Sequence, residues 1–119
     1  VAAYKQSNIF IFPSNIECSP IVLFECAAAK LPFLATDVGN SIEIAEWTKG
    51  GKILPTTKNS NGFSHVQIKE AINILNDFYK NEKERAEMAE KSHKIWSEKY
   101  SWEKITLEYE NLYIQLINA

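Results

Sequence analysis

Apolar residues in the first half of the chain come in short runs separated by polar breaks. In the second half they recur every three or four positions. Asn8-Ile9-Phe10-Ile11-Phe12 is an almost continuous apolar run of strand length, stopped by Pro13-Ser14-Asn15. Runs of this kind belong to strands covered on both faces, as in parallel sheets. A helix is predicted next, with Ser19 as N-cap and Pro20 at the first helical position, running through Lys30 and stopping before Pro32. Phe33 to Thr36 reads as a second buried strand ending at Asp37-Val38-Gly39. Asn40-Ser41-Ile42-Glu43 has capping-box spacing and opens a short helix through Trp47. Gly50-Gly51 then breaks the chain, Lys52-Ile53-Leu54 forms a third strand, and Thr56 to Ser64 is a polar loop.

Beyond residue 64 the pattern is helical. Val66, Ile68, Ala71, Ile72, Leu75, Phe78 and Tyr79 form one stripe. Ala86, Ala89, His93, Trp96 and Tyr100 form a second, which makes His93 a core-edge histidine rather than a ligand. Ser101 is predicted to cap a last helix whose apolar side is Trp102, Ile105, Tyr109, Leu112, Tyr113 and Leu116. The mixed charges from Lys80 to Lys94 read as a solvated face. The fold class is therefore α/β: a partial Rossmann-like parallel sheet of three strands flanked by helices, residues 1–55, with a helical carboxy-terminal half, residues 64–119. Three strands are few against the usual five or six or so. The apolar strand at 8–12 is expected to want a neighbour, supplied by upstream strands or by a second copy in a homo-oligomer.

Composition narrows the classes. With 45 % hydrophobic and 24 % charged residues and a net charge of −2, the chain resembles an ordinary globular domain. Nothing in that balance suggests wrapping of nucleic acid, and no apolar run approaches a membrane span. Two cysteines, Cys18 and Cys26, make neither a disulfide framework nor a metal set; both are expected to be reduced and packed, which points to a cytoplasmic setting. The chain opens at Val1, close to a strand, so an upstream domain is expected.

Chemistry concentrates in Pro13–Glu25, where Glu17 and Glu25 flank and interrupt an apolar stretch. A buried carboxylate costs free energy unless it is paired or bound. If the helix begins at Pro20, the amides of Ile21 and Val22 are free to meet a phosphate. Glu25 would then lie about 7–8 Å further along the axis, within reach of a ribose diol, whose two hydroxyls a carboxylate accepts well. By spacing alone, a solvent-facing Glu25 and a loop-capping Glu17 are the readings to prefer, since two carboxylates eight apart are common.

The string Pro13-Ser14-x-x-Glu17-x-x-Pro20-Ile21-Val22-Leu23-Phe24-Glu25, with Ala28, Pro32, Ala35-Thr36-Asp37-Val38-Gly39, Glu43 and Gly51-x-x-Leu54-Pro55, resembles the carboxy-terminal domain of retaining glycosyltransferases of family 4. The resemblance covers essentially the whole chain. It implies the two-domain glycosyltransferase B fold, with Glu17 and Glu25 as the family's E-x7-E pair. By position, Glu25 binds the donor ribose. Glu17 lies beside the donor hexose as the catalytic residue that stabilises its transferring end. Cys18, Ser19, Ile21 and Val22 contact sugar and diphosphate. The implied reaction moves a hexose, with retention, from a nucleoside-diphosphate sugar, expected to be UDP-linked, to a saccharide or lipid-linked acceptor, as in polysaccharide biosynthesis. It uses no metal, in the cytoplasm or at the inner face of the membrane.

Two positions depart from the family. Cys18 stands where glycine is common, and Lys30 replaces a glycine at the helix end, removing the easy left-handed cap. The resemblance implies further partners, an amino-terminal acceptor domain and the basic residues that neutralise the leaving diphosphate, so this chain alone is expected to bind donor at most and to be inactive. The rival readings are a noncatalytic nucleotide-binding or assembly module, or another enzyme of the same fold such as a sugar-nucleotide epimerase.

Overall fold

The computed structural model describes all 119 residues, Val1–Ala119. Three parallel strands, β1 (Phe10–Phe12), β2 (Phe33–Ala35) and β3 (Gly51–Ile53), form one sheet in the order β1-β2-β3, with Phe10 opposite Phe33 and Phe33 opposite Gly51. The α/β expectation holds. A short helix, α1 (Ala2–Gln6), precedes β1; α2 (Val22–Ala28) joins β1 to β2, and α3 (Ser41–Thr48) joins β2 to β3. These connections are the crossovers that parallel strands require.

Strand alternation divides β2 between two apolar layers. Phe33 and Ala35 face a cluster with Leu23 and Cys26 of α2 and Ile44 and Ala45 of α3. Leu34 faces the other way, onto Leu54 and onto Phe78 of α4 (Ile68–Lys80). β2 is wholly buried, whereas β1 and β3 are only half-covered.

The segment from Thr56 to Ser64, expected to be a loop, contains a hairpin: β4 (Thr56–Lys58) pairs antiparallel with β5 (Ser64–Val66). Its turn is closed by the Asn59 side chain, which accepts from the Asn61 and Phe63 amides, and Gly62 sits at φ +81°. Polar turn residues dominate the composition and mask the strand signal of Thr56, Thr57 and Val66, while Ser64, His65 and Lys58 are held in the ladder by its pairing.

The α4 stripe is rotated from the predicted one. Ala71, Ile74, Leu75 and Phe78 pack inward, while Ile68 and Ile72 are half or more exposed and line an apolar cleft with Ile11 of β1. These residues lie at the outer margin of the sheet, where β1 has no further neighbour.

The last two helices, α5 (Glu82–Lys99) and α6 (Trp102–Ile117), differ in how they are anchored. α5 packs on α2 and α3, with Ser92 fully buried. His93 donates its Nδ1–H to the Ala28 carbonyl at 2.9 Å, satisfying an orphan group at the end of α2. That is the core-edge role expected for it; Ala86, placed in the same stripe, is exposed instead. Ser101 caps α6 by accepting from the Lys104 amide, as predicted, and Asn81, which the sequence did not single out, caps α5 by accepting from the Glu84 amide. Yet α6 buries no residue, and Trp102, Tyr109, Leu112, Tyr113 and Leu116 are all exposed. The radius of gyration is 16.4 Å, against about 13.5 Å for a compact chain of this length. No helix is long and apolar enough to cross a membrane.

Lys30 does not abolish the left-handed helix ending. It adopts φ +57°, and the Leu31 and Lys30 amides bond to the Cys26 and Ala27 carbonyls, so α2 closes with a Schellman motif built on lysine. The side chain then meets Glu90 of α5 at 2.8 Å, an exposed pair worth at most about 1 kcal/mol. A left-handed non-glycine residue costs roughly 1–2 kcal/mol. Lys30→Gly should therefore raise unfolding stability by about 0.5–1 kcal/mol in urea melts; a lower midpoint would mean that the ion pair outweighs the strain.

The two cysteines also separate. Cys26 lies in the core with its thiol pushed up to about 12, by burial first and then by the Glu25 charge, whereas Cys18 is exposed rather than packed. At pH 8 a thiol reagent should label one cysteine in the native chain and two in denaturant, with mass mapping placing the native adduct on Cys18.

Candidate functional site

All three strands point the same way, so the loops that leave β1 and β2 meet at one end of the sheet. Ligands of open α/β sheets bind outside the carboxyl ends of the strands. The loop from Pro13 to Ile21 carries the predicted site residues and is pinned there from three sides. Thr36 Oγ1 donates to the Ser14 carbonyl at 2.5 Å, the Ser64 amide of β5 donates to the Asn15 carbonyl at 2.8 Å, and the Asn40 amide donates to the Cys18 carbonyl at 3.2 Å. Ser64 Oγ also donates to the Asp37 carbonyl at 2.7 Å, so the hairpin clamps both loops.

Gly39 makes the closest contact. It sits at φ +52°, and a Cβ there would lie 2.1 Å from the Cys18 carbonyl oxygen and 3.0 Å from that of Glu17. Only glycine meets both demands.

Glu17 is half-buried, and its Oε1 accepts from Ser14 Oγ at 2.9 Å. It opens onto a polar cleft of 90 Å³ shared with Asp37, Lys58 and Ser64. Lys58 stands 3.9 Å from Asp37. The cleft thus presents two carboxylates and one ammonium, a set able to bond hydroxyl groups of either polarity. Of the hairpin residues the sequence singled out only Val66, as part of a helical stripe, and the structure places it in β5; Lys58 and Ser64 are brought in by the β4–β5 pairing.

The start of α2 differs from the expected one. Helical geometry begins at Ile21, and α2 proper starts at Val22, with the Leu23 amide bonded to the Pro20 carbonyl. Pro20 is buried, and Ser19 makes no capping bond. The Ile21 and Val22 amides have no protein acceptor. Glu25 lies in the first turn of α2, about 4.5 Å along the axis from Val22, so the span it can bridge is shorter than the sequence implied. Its charge there is favourable to the helix dipole.

Glu25 is exposed, not buried: α2 turns Leu23, Cys26 and Ala27 inward and leaves the carboxylate outside. Its Oε2 accepts from the Tyr4 hydroxyl at 2.8 Å. Burial, then the Glu25 carboxylate, pushes the Tyr4 phenol up to about 12. Glu25 borders two concavities, one of 350 Å³ with Tyr4, Lys5 and Ala28, the other of 290 Å³ with Ile21, Phe24, Trp96, Tyr100 and Trp102. The Glu17 cleft is separate from both.

The expected capping box at Asn40 and Glu43 is not made. Asn40 gives no side-chain cap, and its Oδ1 is buried without a partner. Ser41 Oγ instead accepts from the Val38 amide and donates to the Thr36 carbonyl, closing the turn that presents Gly39. Gly39→Ala should destabilise the chain by roughly 1–3 kcal/mol, and amide shifts in an NMR spectrum should spread through Ser14–Ser19 as the Cys18 carbonyl is forced away. Unchanged stability would show that the two loops do not depend on this approach.

Comparison with known proteins sets this geometry in a lineage. Residues 1–95 match the model of the family described as glycosyl transferases group 1. A probable sucrose-phosphate synthase of Thermosipho melanesiensis is 32 % identical over 111 residues, which is 93 % of this chain and 23 % of that relative. A solved sucrose-phosphate synthase from Thermosynechococcus elongatus superposes with a TM-score of 0.68 at 24 % identity, covering 98 % of this chain and 27 % of that one. The chain thus spans about a quarter of the length of these relatives. The fold of the second agrees with the sheet and helices described above, and the match to the family model extends over both loops, the hairpin and most of α5. The chain belongs to the glycosyl transferases group 1 family.

Proposed function

We propose that the chain forms the donor-binding side of a nucleotide-sugar-dependent hexosyltransferase that retains anomeric configuration. The observation that carries this reading is the placement of Glu17 and Glu25 around unpartnered amides. Glu17 is fixed by Ser14 at the carboxyl end of the sheet, Glu25 lies in the first turn of α2, and the Ile21 and Val22 amides lie between them in sequence.

In this reading the diphosphate of the donor meets those amides at the positive end of α2. Glu25 accepts the ribose hydroxyls. Glu17, with Cys18 and Ser19 beside it, faces the hexose and stabilises the positive charge that develops as the sugar leaves. The donor is a nucleoside-diphosphate sugar, UDP-linked, and no metal is invoked. The sucrose-phosphate synthases among its relatives favour a saccharide over a lipid-linked acceptor. Charge stabilisation of this kind needs a site closed against water. The Glu17 cleft is open and small, so the chain alone binds donor without turning it over.

Titration followed by NMR tests these roles separately. Glu25→Ala should weaken UDP by about tenfold or more, the worth of hydrogen bonds to a charged group. Glu17→Gln should leave UDP unchanged and weaken a UDP-hexose. Equal UDP affinity for wild type and Glu25→Ala would remove the ribose role and, with it, this reading of α2.

A further inference from the structure

We propose that Tyr4 is a positioning residue for nucleotide binding: its hydroxyl holds the Glu25 carboxylate in the orientation that accepts a ribose diol. This rests on the reading of Glu25 given above.

Glu25 is exposed and lies on the outer side of α2, and Tyr4 is its one hydrogen-bond partner. A glutamate in that position has three rotatable bonds and would otherwise sample several orientations, all of which must be given up when a ligand binds. Tyr4 is a stiff anchor by comparison. It has two side-chain torsions, its ring stacks on Phe10 of β1 at 5.7 Å and 19°, and Phe10 in turn stacks on Phe12 at 6.0 Å. The same ring packs against the cluster formed by Leu23, Cys26 and Phe33. One end of Tyr4 is therefore set in the core and the other reaches the carboxylate, 21 residues away in sequence.

The geometry leaves the acid competent. Each carboxylate oxygen has two acceptor sites. Tyr4 uses one on Oε2, and Oε1 has no protein partner, so a vicinal diol can still place one hydroxyl on each oxygen. A phenol with its proton loss pushed up to about 12 remains a donor throughout the neutral range. Tyr4 and Glu25 also border the same 350 Å³ concavity, so the bond lies at the edge of open space that a ligand can enter.

The test removes one oxygen atom. Tyr4→Phe keeps the stacked ring and loses only the hydroxyl. UDP, ADP and GDP would each be titrated against wild type, Tyr4→Phe, Glu25→Ala and the double variant, in parallel with their 2′,3′-dideoxy counterparts. Tyr4→Phe is expected to weaken the tightest-binding diol nucleotide by about three- to tenfold, the range of one net hydrogen bond. It should leave the dideoxy nucleotide unchanged and add nothing in the Glu25→Ala background. Equal weakening of diol and dideoxy forms would make Tyr4 merely structural and overturn the proposal. So would a loss in Glu25→Ala that Tyr4→Phe does not share, which leaves the ribose role of Glu25 standing. If Glu25→Ala binds the diol nucleotide as wild type does, or wild type binds none of the three, the reading of Glu25 itself fails and the role of Tyr4 falls with it.

Discussion

Two loops in this chain must share one small space, and that constraint organises everything around it. Parallel strands end on the same side, so the segments leaving β1 and β2 converge, and they do so with the Gly39 backbone against the Cys18 carbonyl. Backbone polar groups brought that close need partners. Thr36, Ser41 and Ser64 supply them, through bonds to the Ser14, Thr36 and Asp37 carbonyls. The position of Glu17 follows from these contacts rather than from any contact of its own with the core.

The short helix after that loop divides its residues by the same economy. Leu23, Cys26 and Ala27 enter the core, and the Schellman ending delivers Leu31 to the start of β2. Glu25 is excluded from the core by the period of the helix, and in the first turn it faces a favourable dipole. An acid inside an apolar word of sequence is thus not a buried acid. It is the outer side of a short amphipathic turn, and its one protein bond comes from a separate element, α1.

How much of this the sequence shows depends on the range of the interaction. β2 is legible because both its faces are covered and its residues are uniformly apolar. The Ser101 cap is legible because capping is decided within four residues. The 56–66 hairpin could have been read from Asn59-Ser60-Asn61-Gly62, a turn signal between two runs containing threonine and valine, but the polar composition masked it. Lys30 misleads in the other direction: a strained backbone persists because Leu31 and α5 hold the chain on either side. The Tyr4–Glu25 bond and the union of Glu17 with Lys58 and Ser64 join residues far apart in the chain, and no periodicity or spacing encodes them. Even the rotation of α4 has this origin, since Ile68 and Ile72 fall beside an unpaired strand margin that a pattern of apolar residues cannot reveal.

The β4–β5 hairpin is fastened at both ends of its short ladder, by Thr56 at the open end and by Ser64 beside the turn. Ser64 and Thr56 carry its bonds to Asn15 and Asp37, while the turn at Asn59–Gly62 closes on itself, and a side chain added at Gly62 would meet open space. Mutational tolerance is therefore graded along a dozen residues. Gly62 at the tip can take a side chain that points into open space, while Thr56 and Ser64, one at each end of the ladder, are fixed by what they hold. Evolution can redecorate the awning here without moving the wall it hangs from.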